Sequence, residues 1–105
     1  MPARTILGKT IDVTDDGFMT NRAQWDREIA QALADEAGVG PLTERHWNVI
    51  EFCRKDMEAT QQSPGLRRIA AQSGVAMKEL YVLFPKGPGK LAALVSGLPK
   101  PQGCV

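Results

Sequence analysis

The residue types that most catalytic and metal sites require are scarce in this sequence. Its 105 residues include one histidine and two cysteines, too few for a standard structural zinc site or for a disulfide framework. Glycine-rich phosphate loops of the GxxxxGKS/T and GxGxxG kinds are absent. His46 lies near a predicted helix start, so a capping or packing role is expected for it. Nothing in the sequence calls for a metal or an organic cofactor.

Long apolar runs are missing too. No segment approaches the roughly 18 apolar residues of a membrane span, and residues 1–5 lack the apolar core of a signal peptide. These absences predict a cytoplasmic protein with no membrane association, in a compartment that keeps thiols reduced. With 43% hydrophobic residues, a chain of this length has room for one small core.

Charge is distributed unevenly along the chain. Residues 1–60 hold seven Lys or Arg and eleven Asp or Glu, a net charge of −4, whereas residues 61–105 hold six and one, a net charge of +5. Such asymmetry indicates that the C-terminal part contacts a negatively charged partner. A chance distribution over solvated faces is the alternative, and the composition does not choose between the two.

Hydrophobic periodicity predicts a mainly α fold, of the α+β kind, with an N-terminal β-hairpin. Two short β-prone runs flank Gly8-Lys9, as expected for a tight hairpin. Apolar stripes at helical spacing then predict a small bundle of about five helices. The predicted helices span residues 21–37, 43–60, 63–74, 76–84 and 87–97.

Polar residues at three of these starts are typical helix caps. Asn21 should cap the first helix, with Gln24 as its reciprocal partner. Thr43 should open the second helix. Ser63 should cap the third, because Pro64 follows it at the first helical position.

Residues 98–105 read as an arm beyond the predicted domain of residues 1–97. Pro99 and Pro101 forbid a helix and favour an extended, semi-rigid segment. Gly103 adds a position of high backbone freedom before Cys104. The prediction is a flexible C-terminal arm that carries a thiol over roughly 20–25 Å at full extension.

The two cysteines have different surroundings in the sequence. Cys53 lies on the apolar stripe of the second predicted helix, where a free cysteine is a small buried hydrophobe with a raised thiol pKa. Cys104 lies on the arm, where a core role is not expected. A reactive sulfur on a tether can enter the active site of a partner, so Cys104 is the candidate nucleophile. An inert tail thiol is the alternative.

With Cys104 near the end of this arm, the chain resembles the DsrC/TusE family of sulfur-carrier proteins. Members of this family include the gamma subunit of dissimilatory sulfite reductase. The ending Gly-Leu-Pro-Lys-Pro-Gln-Gly-Cys-Val at residues 97–105 is a specific signal, and residues 80–90 match as well. Further matches lie at residues 17–21 with Trp25, at 42–44 with His46-Trp47, and at 63–67. The resemblance implies a mostly helical fold with an N-terminal hairpin and a flexible arm.

The resemblance also implies a function. In the family the cysteine at the position of Cys104 carries sulfur, and members with full sulfite-reductase chemistry have a second cysteine at the position of Ala93. With alanine there, the chain looks like the single-cysteine, TusE-type branch. Members of that branch are sulfurtransferases that relay persulfide sulfur between proteins, as in the 2-thiouridine modification of tRNA. One departure from the family is a shorter segment between Ile69 and Leu80.

The implied partners are sulfur donors and acceptors, namely TusBCD-like or DsrEFH-like relay proteins and a thiouridylase or a sulfite-reductase-like complex. Nucleic acid would be involved only indirectly. Arg67 matches the arginine that follows Ser-Pro in the family. Together with Lys86 and Lys100, it is a candidate for electrostatic support of the thiolate and the persulfide.

A different function is also compatible with part of the sequence. Residues 66–86 resemble a TetR-type helix-turn-helix, and the basic C-terminal half could meet phosphates. The second helix of that motif offers only Lys78, Glu79 and Tyr81 to read bases, and a DNA-binding role leaves the arm unexplained. A third possibility is an inert subunit of a larger sulfur enzyme.

Overall fold

Within residues 2–101, which the computed structural model describes, the chain forms one hairpin and five α-helices. This confirms the mainly helical fold with an N-terminal hairpin. The flexibility predicted for the arm beyond Pro101 lies outside the described residues. The elements are β1 (Ala3–Ile6), β2 (Lys9–Asp12), a 3-10 turn (Arg22–Gln24), α1 (Arg27–Glu36), α2 (Glu44–Thr60), α3 (Leu66–Gln72), α4 (Met77–Leu83) and α5 (Pro88–Val95).

The hairpin turns one residue earlier than the sequence predicted. Ile6 pairs with Lys9 in the antiparallel register, so the turn is Leu7-Gly8 and Lys9 opens β2. Both turn residues have positive φ, 53° for Leu7 and 77° for Gly8. Two positive φ values are what a two-residue turn of type I′ requires.

The first helix also begins later than predicted. The Asn21 side chain caps only the 3-10 turn, accepting a hydrogen bond from the backbone N of Ala23 at 3.0 Å. Gln24 accepts from the backbone N of Asp12 at 2.8 Å instead of pairing with Asn21. The cap of α1 is Asp26, whose Oδ1 accepts from the backbone N of Ile29 at 2.8 Å. Tertiary bonding of Gln24 to the hairpin thus interrupts the predicted helix of residues 21–37.

The second helix begins at the predicted cap, and His46 has the expected packing role. Its Nδ1 accepts a hydrogen bond from the backbone N of Thr43 at 3.0 Å, so Nε2 carries the proton and donates to the Leu83 carbonyl at 2.8 Å. The ring packs edge-on to Phe84, with centroids 5.2 Å apart. His46 therefore joins the start of α2 to the end of α4.

The third helix begins at Leu66, three residues after the predicted cap Ser63. Gly65 occupies the N-cap position and no side chain caps it, because the Ser63 hydroxyl is bonded elsewhere, as described below. Arg68 holds α3 against α2 through two hydrogen bonds to the buried carboxylate of Asp56, at 2.9 and 2.7 Å. Two parallel bonds of this kind fix orientation as well as distance.

The core consists of two adjoining clusters. A small cluster joins the hairpin and the turn after it to α1; it contains Ile6, Ile11, Val13, Met19, Ile29 and Leu33. A larger one lies among the helices and includes Val49, Ile50, Cys53, Ile69, Leu80, Phe84, Val95 and Leu98. Trp25 packs against both clusters. Among residues 2–101, no helix combines the length and the apolarity needed to cross a membrane.

Candidate functional site

The structure describes the chain that leads towards the predicted carrier, Cys104, while Cys104 itself lies outside the described residues. We call residues 95–101, from the last residue of α5 to Pro101, the arm root. Its first feature is a Schellman turn. Gly97, with a φ of 71°, and Leu98 donate backbone hydrogen bonds to the carbonyls of Leu94 and Ala93, at 3.2 and 3.0 Å.

Three side chains from distant parts of the sequence bind the backbone carbonyls of the arm root. The indole Nε1 of Trp25 donates to the Val95 carbonyl at 2.8 Å. Arg54 Nη1 donates to the Ser96 carbonyl at 2.7 Å. The Ser63 hydroxyl donates to the Pro99 carbonyl at 2.6 Å. The carbonyls at a helix C-terminus have no partner within the helix, and here two such carbonyls are taken by α2 and by the loop before α1.

Trp25 and Arg54 also contact each other. The Arg54 guanidinium lies 4.0 Å from the centre of the Trp25 ring, which is a cation–π geometry. Burial, followed by the nearby charge of Arg22, lowers the pKa of Arg54. The indole also lies directly against Gly97, since a Cβ added there would come within 2.4 Å of the Trp25 side chain. Glycine at position 97 is required by both its φ and this contact.

The start of the predicted arm packs on the body of the protein. Leu98 is 0% exposed and belongs to the larger core cluster. Pro101 is buried, while Pro99 and Lys100 are exposed. Residues 98–101 are therefore anchored at both ends, and Ser63 holds them in the middle.

The three predicted supporting cations lie on three different segments. Arg67 is exposed in the first turn of α3, and Lys86 is exposed in the loop between α4 and α5. Lys100 is exposed on the arm root, with Nζ 3.9 Å from Asp16 Oδ2. The bond from Ser63 to Pro99 brings the segment before Arg67 next to that of Lys100. Within residues 2–101, no hydrogen bond or ion pair joins the Lys86 loop to the arm root.

Cys53 has the structural position that the sequence predicted. It lies in the middle of α2 and is 1% exposed. Burial, followed by the charge of Asp56, raises the pKa of its thiol to about 12. The buried Ser96 hydroxyl lies beside it and partly offsets this rise, although its geometry falls short of a full hydrogen bond. A thiol in this position is neither accessible nor ionised at neutral pH.

Sequence reasoning missed Trp25, Arg54 and Ser63 as residues that hold the arm root. Local spacing places Trp25 inside the predicted helix of residues 21–37 and Ser63 at a helix cap, and neither interpretation gives these side chains a distant partner. The available signal was chemical: an indole N–H or a guanidinium needs acceptors when it is buried. Identifying those acceptors required the fold.

Within the described range 2–101, no group of three or more His, Cys, Asp or Glu side chains could hold a metal ion.

Comparison with known proteins gives consistent results over nearly the whole chain. The family model described as DsrC like protein matches residues 5–105. The dissimilatory-type sulfite reductase subunit gamma of Nitratidesulfovibrio vulgaris is 35% identical over 101 residues, covering 96% of each chain. Sulfurtransferase TusE of Yersinia pseudotuberculosis is 36% identical over 105 residues, covering 93% of this chain and 96% of the relative.

Solved structures agree with the sequence matches. A chain in the crystal structure of dissimilatory sulfite reductase I superposes with a TM-score of 0.87 at 35% identity, covering 99% of this chain and 100% of that one. The match therefore includes the hairpin, all five described helices and the arm root. The chain belongs to the DsrC-like family.

Proposed function

We propose that this chain is a sulfur carrier that holds sulfane sulfur as a persulfide on Cys104 and relays it between partner proteins. The observation that carries the proposal is the match to the DsrC-like family, which extends through residue 105 and so includes the Gly-Cys-Val ending. The two relatives described above are named as a sulfite reductase subunit and as a sulfurtransferase.

The chemistry needs one thiolate on the carrier. The Cys104 thiolate attacks the outer sulfur of a donor persulfide; a new S–S bond forms, the donor S–S bond breaks, and the donor leaves as a thiolate. In the second step an acceptor thiolate attacks the outer sulfur of the Cys104 persulfide, and Cys104 leaves as a thiolate. No net oxidation occurs, since the sulfane sulfur moves from one thiolate to another.

The described residues favour a relay with a single cysteine. Ala93, where members with sulfite-reductase chemistry have a second cysteine, is buried in α5. Alanine cannot form an internal disulfide with Cys104, so the second thiol in each step belongs to a partner. We therefore propose the TusE-type relay, with TusBCD-like or DsrEFH-like proteins, a thiouridylase or a sulfite-reductase-like complex as partners.

Arg67, Lys86 and Lys100 are proposed to support the anionic forms of Cys104. All three side chains are exposed, so their effect acts through solvent and is screened by salt. Lys100 is the nearest of them along the chain, four residues before Cys104. Its loose pairing with Asp16 leaves it partly neutralised.

Mass spectrometry after incubation with a persulfide donor tests the proposal. The parent should gain one sulfur atom, about 32 Da, on Cys104. Cys104→Ser should gain none, because a hydroxyl is neither ionised nor soft at neutral pH. The matched control is Cys53→Ser, which should load like the parent because the buried Cys53 thiol takes no part. Loading of Cys104→Ser at the parental rate would refute the carrier role.

The helix-turn-helix alternative has little to support it. Helices α3 and α4 are joined by a short turn, residues 73–76, as that motif requires. However, Glu79, one of the few side chains available to read bases, is held by two hydrogen bonds from Arg45 at 2.8 and 2.7 Å. The similar proteins described above are named for sulfur chemistry.

A further inference from the structure

We propose that the anchored arm root limits the reach of Cys104, and that Ser63, Trp25 and Arg54 are positioning residues for it. This inference rests on the proposed function only for the purpose of the positioning. The contacts that hold the arm root do not depend on what Cys104 does. The three side chains come from the loop after α2, the loop before α1, and the middle of α2. They converge on consecutive parts of one short segment.

The backbone of the arm root has few ways to move. Gly97 is the residue with the greatest intrinsic freedom, but its backbone lies against the Trp25 indole. Pro99 and Pro101 have φ fixed by their rings. Leu98 and Lys100 each precede a proline, and this restricts them to extended conformations. Every residue from Gly97 to Pro101 is therefore restricted by a contact or by its covalent structure.

Hydrogen bonds and burial oppose release of the root as a unit. Trp25 and Arg54 hold the Val95 and Ser96 carbonyls, before the Gly97 turn. Leu98 is buried beyond it. The Ser63 hydroxyl then holds the Pro99 carbonyl. Lifting the arm from Leu98 onward would break the Ser63 bond and expose the side chains of Leu98 and Pro101 to water.

The consequence is a short tether. Three peptide steps separate Pro101 from Cys104, so covalent geometry keeps the Cα of Cys104 within about 11 Å of the Cα of Pro101. If the chain were free from Leu98 onward, seven steps from Gly97 would allow about 25 Å. Anchoring thus cuts the reach of the carrier sulfur by more than half.

The short tether also indicates where a partner must dock. Its reactive sulfur has to come close to the surface around the arm root. This surface combines the end of α2 and the following loop with the exposed part of the root; it is lined by Met57, Gln61, Gln62, Ser63, Pro99 and Lys100. We infer that the partner is a protein whose reactive thiol lies near its surface, within reach of a tether of about 11 Å.

Distance measurements between two spin labels test this inference. One label goes on Cys104 and the other on an introduced cysteine, Asn48→Cys, on the exposed face of α2; the buried Cys53 stays unlabelled. The parent should give a distance distribution confined to the range that a tether of about 11 Å from Pro101 allows. Ser63→Ala should broaden it towards longer distances, because losing one hydrogen bond raises the released fraction by roughly 2- to 10-fold. Adding Pro101→Ala should broaden it further.

The matched control is Ser73→Ala, which removes a similarly half-buried serine hydroxyl whose partner is the Val75 backbone N, at 3.1 Å, outside the arm root. It should leave the distribution unchanged. Loading of all variants from the small donor glutathione persulfide should stay within about 2-fold of the parent, since a small donor needs no docking. A parental distribution as broad as that of Ser63→Ala, no effect of Ser63→Ala, or equal broadening by Ser73→Ala would overturn the inference. A failure of loading in the parent would instead refute the carrier function.

Discussion

The two ends of α5 are held very differently. At the N-terminal end, no side chain hydrogen-bonds to the backbone of residues 85–87 within the described chain, and Lys86 and Gly87 have φ values of 73° and 113°. At the C-terminal end, Trp25 and Arg54 bind the last carbonyls, and Leu98 is buried. Long-range contacts are thus concentrated at the end from which the chain continues towards Cys104.

Helix chemistry explains part of this difference. Pro88 at the first position of α5 has no N–H, so one fewer donor at that end needs an acceptor. Val95 and Ser96 at the other end are fully buried, so their carbonyls need partners within the protein. Trp25 and Arg54 supply them and thereby fix the direction of the arm root, a constraint that the N-terminal end does not share.

The largest difference between the ends should appear on replacing their glycines. Gly97→Ala places a methyl group within 2.4 Å of Trp25 and keeps an unfavourable positive φ, so we expect a loss of about 3 kcal/mol or more in the free energy of unfolding. Gly87→Ala suffers from φ alone, because no atom lies within 4 Å of the added Cβ, and should cost about 1–2 kcal/mol. Urea denaturation measures both, and equal losses would contradict the role of the Trp25 contact.

The next effect should come from the Trp25 hydrogen bond. Trp25→Phe keeps an aromatic ring but leaves the Val95 carbonyl without its donor, so we expect a loss of about 1–2 kcal/mol. Trp47→Phe is the matched control. Trp47 also has an arginine over its ring, Arg27 at 4.3 Å, but its Nε1 donates no hydrogen bond within residues 2–101. Its replacement should cost about 1 kcal/mol less than that of Trp25, the contribution of one hydrogen bond, and equal costs would mean that packing, not the bond, matters.

A smaller effect concerns Cys53, which lies beneath the arm root beside Ser96. Cys53→Ala should cost about 1 kcal/mol at neutral pH as a small core truncation. Because burial raises the pKa of this thiol to about 12, the unfolded chain ionises first as the pH rises above 9. The stability of the parent should therefore fall between pH 9 and pH 12.

Cys53→Ala lacks this ionisation, so the difference in stability between parent and variant should shrink over the same pH range. Chemical denaturation at several pH values measures it. Equal pH dependence of the two proteins would show that the thiol is not buried in solution.

The smallest effect should come from the exposed lysines. Lys100→Gln should slow the loading of Cys104 by less than about 2-fold, because a solvated charge acts through screened electrostatics. Lys86→Gln, at the other end of α5, should change the rate even less. Both effects should vanish in high salt. A larger effect for Lys86 than for Lys100 would place the reacting sulfur near the wrong end of the helix.

Local signals predicted the parts of the fold that depend on local chemistry. Thr43 caps α2, and His46 completes that cap, because residues four or fewer apart interact whatever the tertiary structure. Ser63 was misassigned because its hydroxyl finds a partner 36 residues away. Asn21 was misassigned because the hairpin takes Gln24. A polar side chain with a distant partner gives no signal in local spacing.

The same limit applies to the candidate site. The family resemblance and the arm composition singled out Cys104 without any structure. The anchored root could not be predicted, because the acceptors of Trp25 and Arg54 are backbone carbonyls, and every residue has one. Only the packing of α5 on α2 and on the loop before α1 determines which carbonyls they meet.

The burial of Cys53 gives the protein an internal reporter of its own opening. A thiol reagent can modify Cys53 only in molecules that have opened around it, so the rate of this modification measures how often the core opens and not how reactive the sulfur is. At low reagent concentration the rate gives the equilibrium population of the open form, and at high concentration it approaches the rate of opening itself. With Cys104 replaced by serine, one native thiol remains, and local fluctuations beneath the arm root can be followed without any introduced probe.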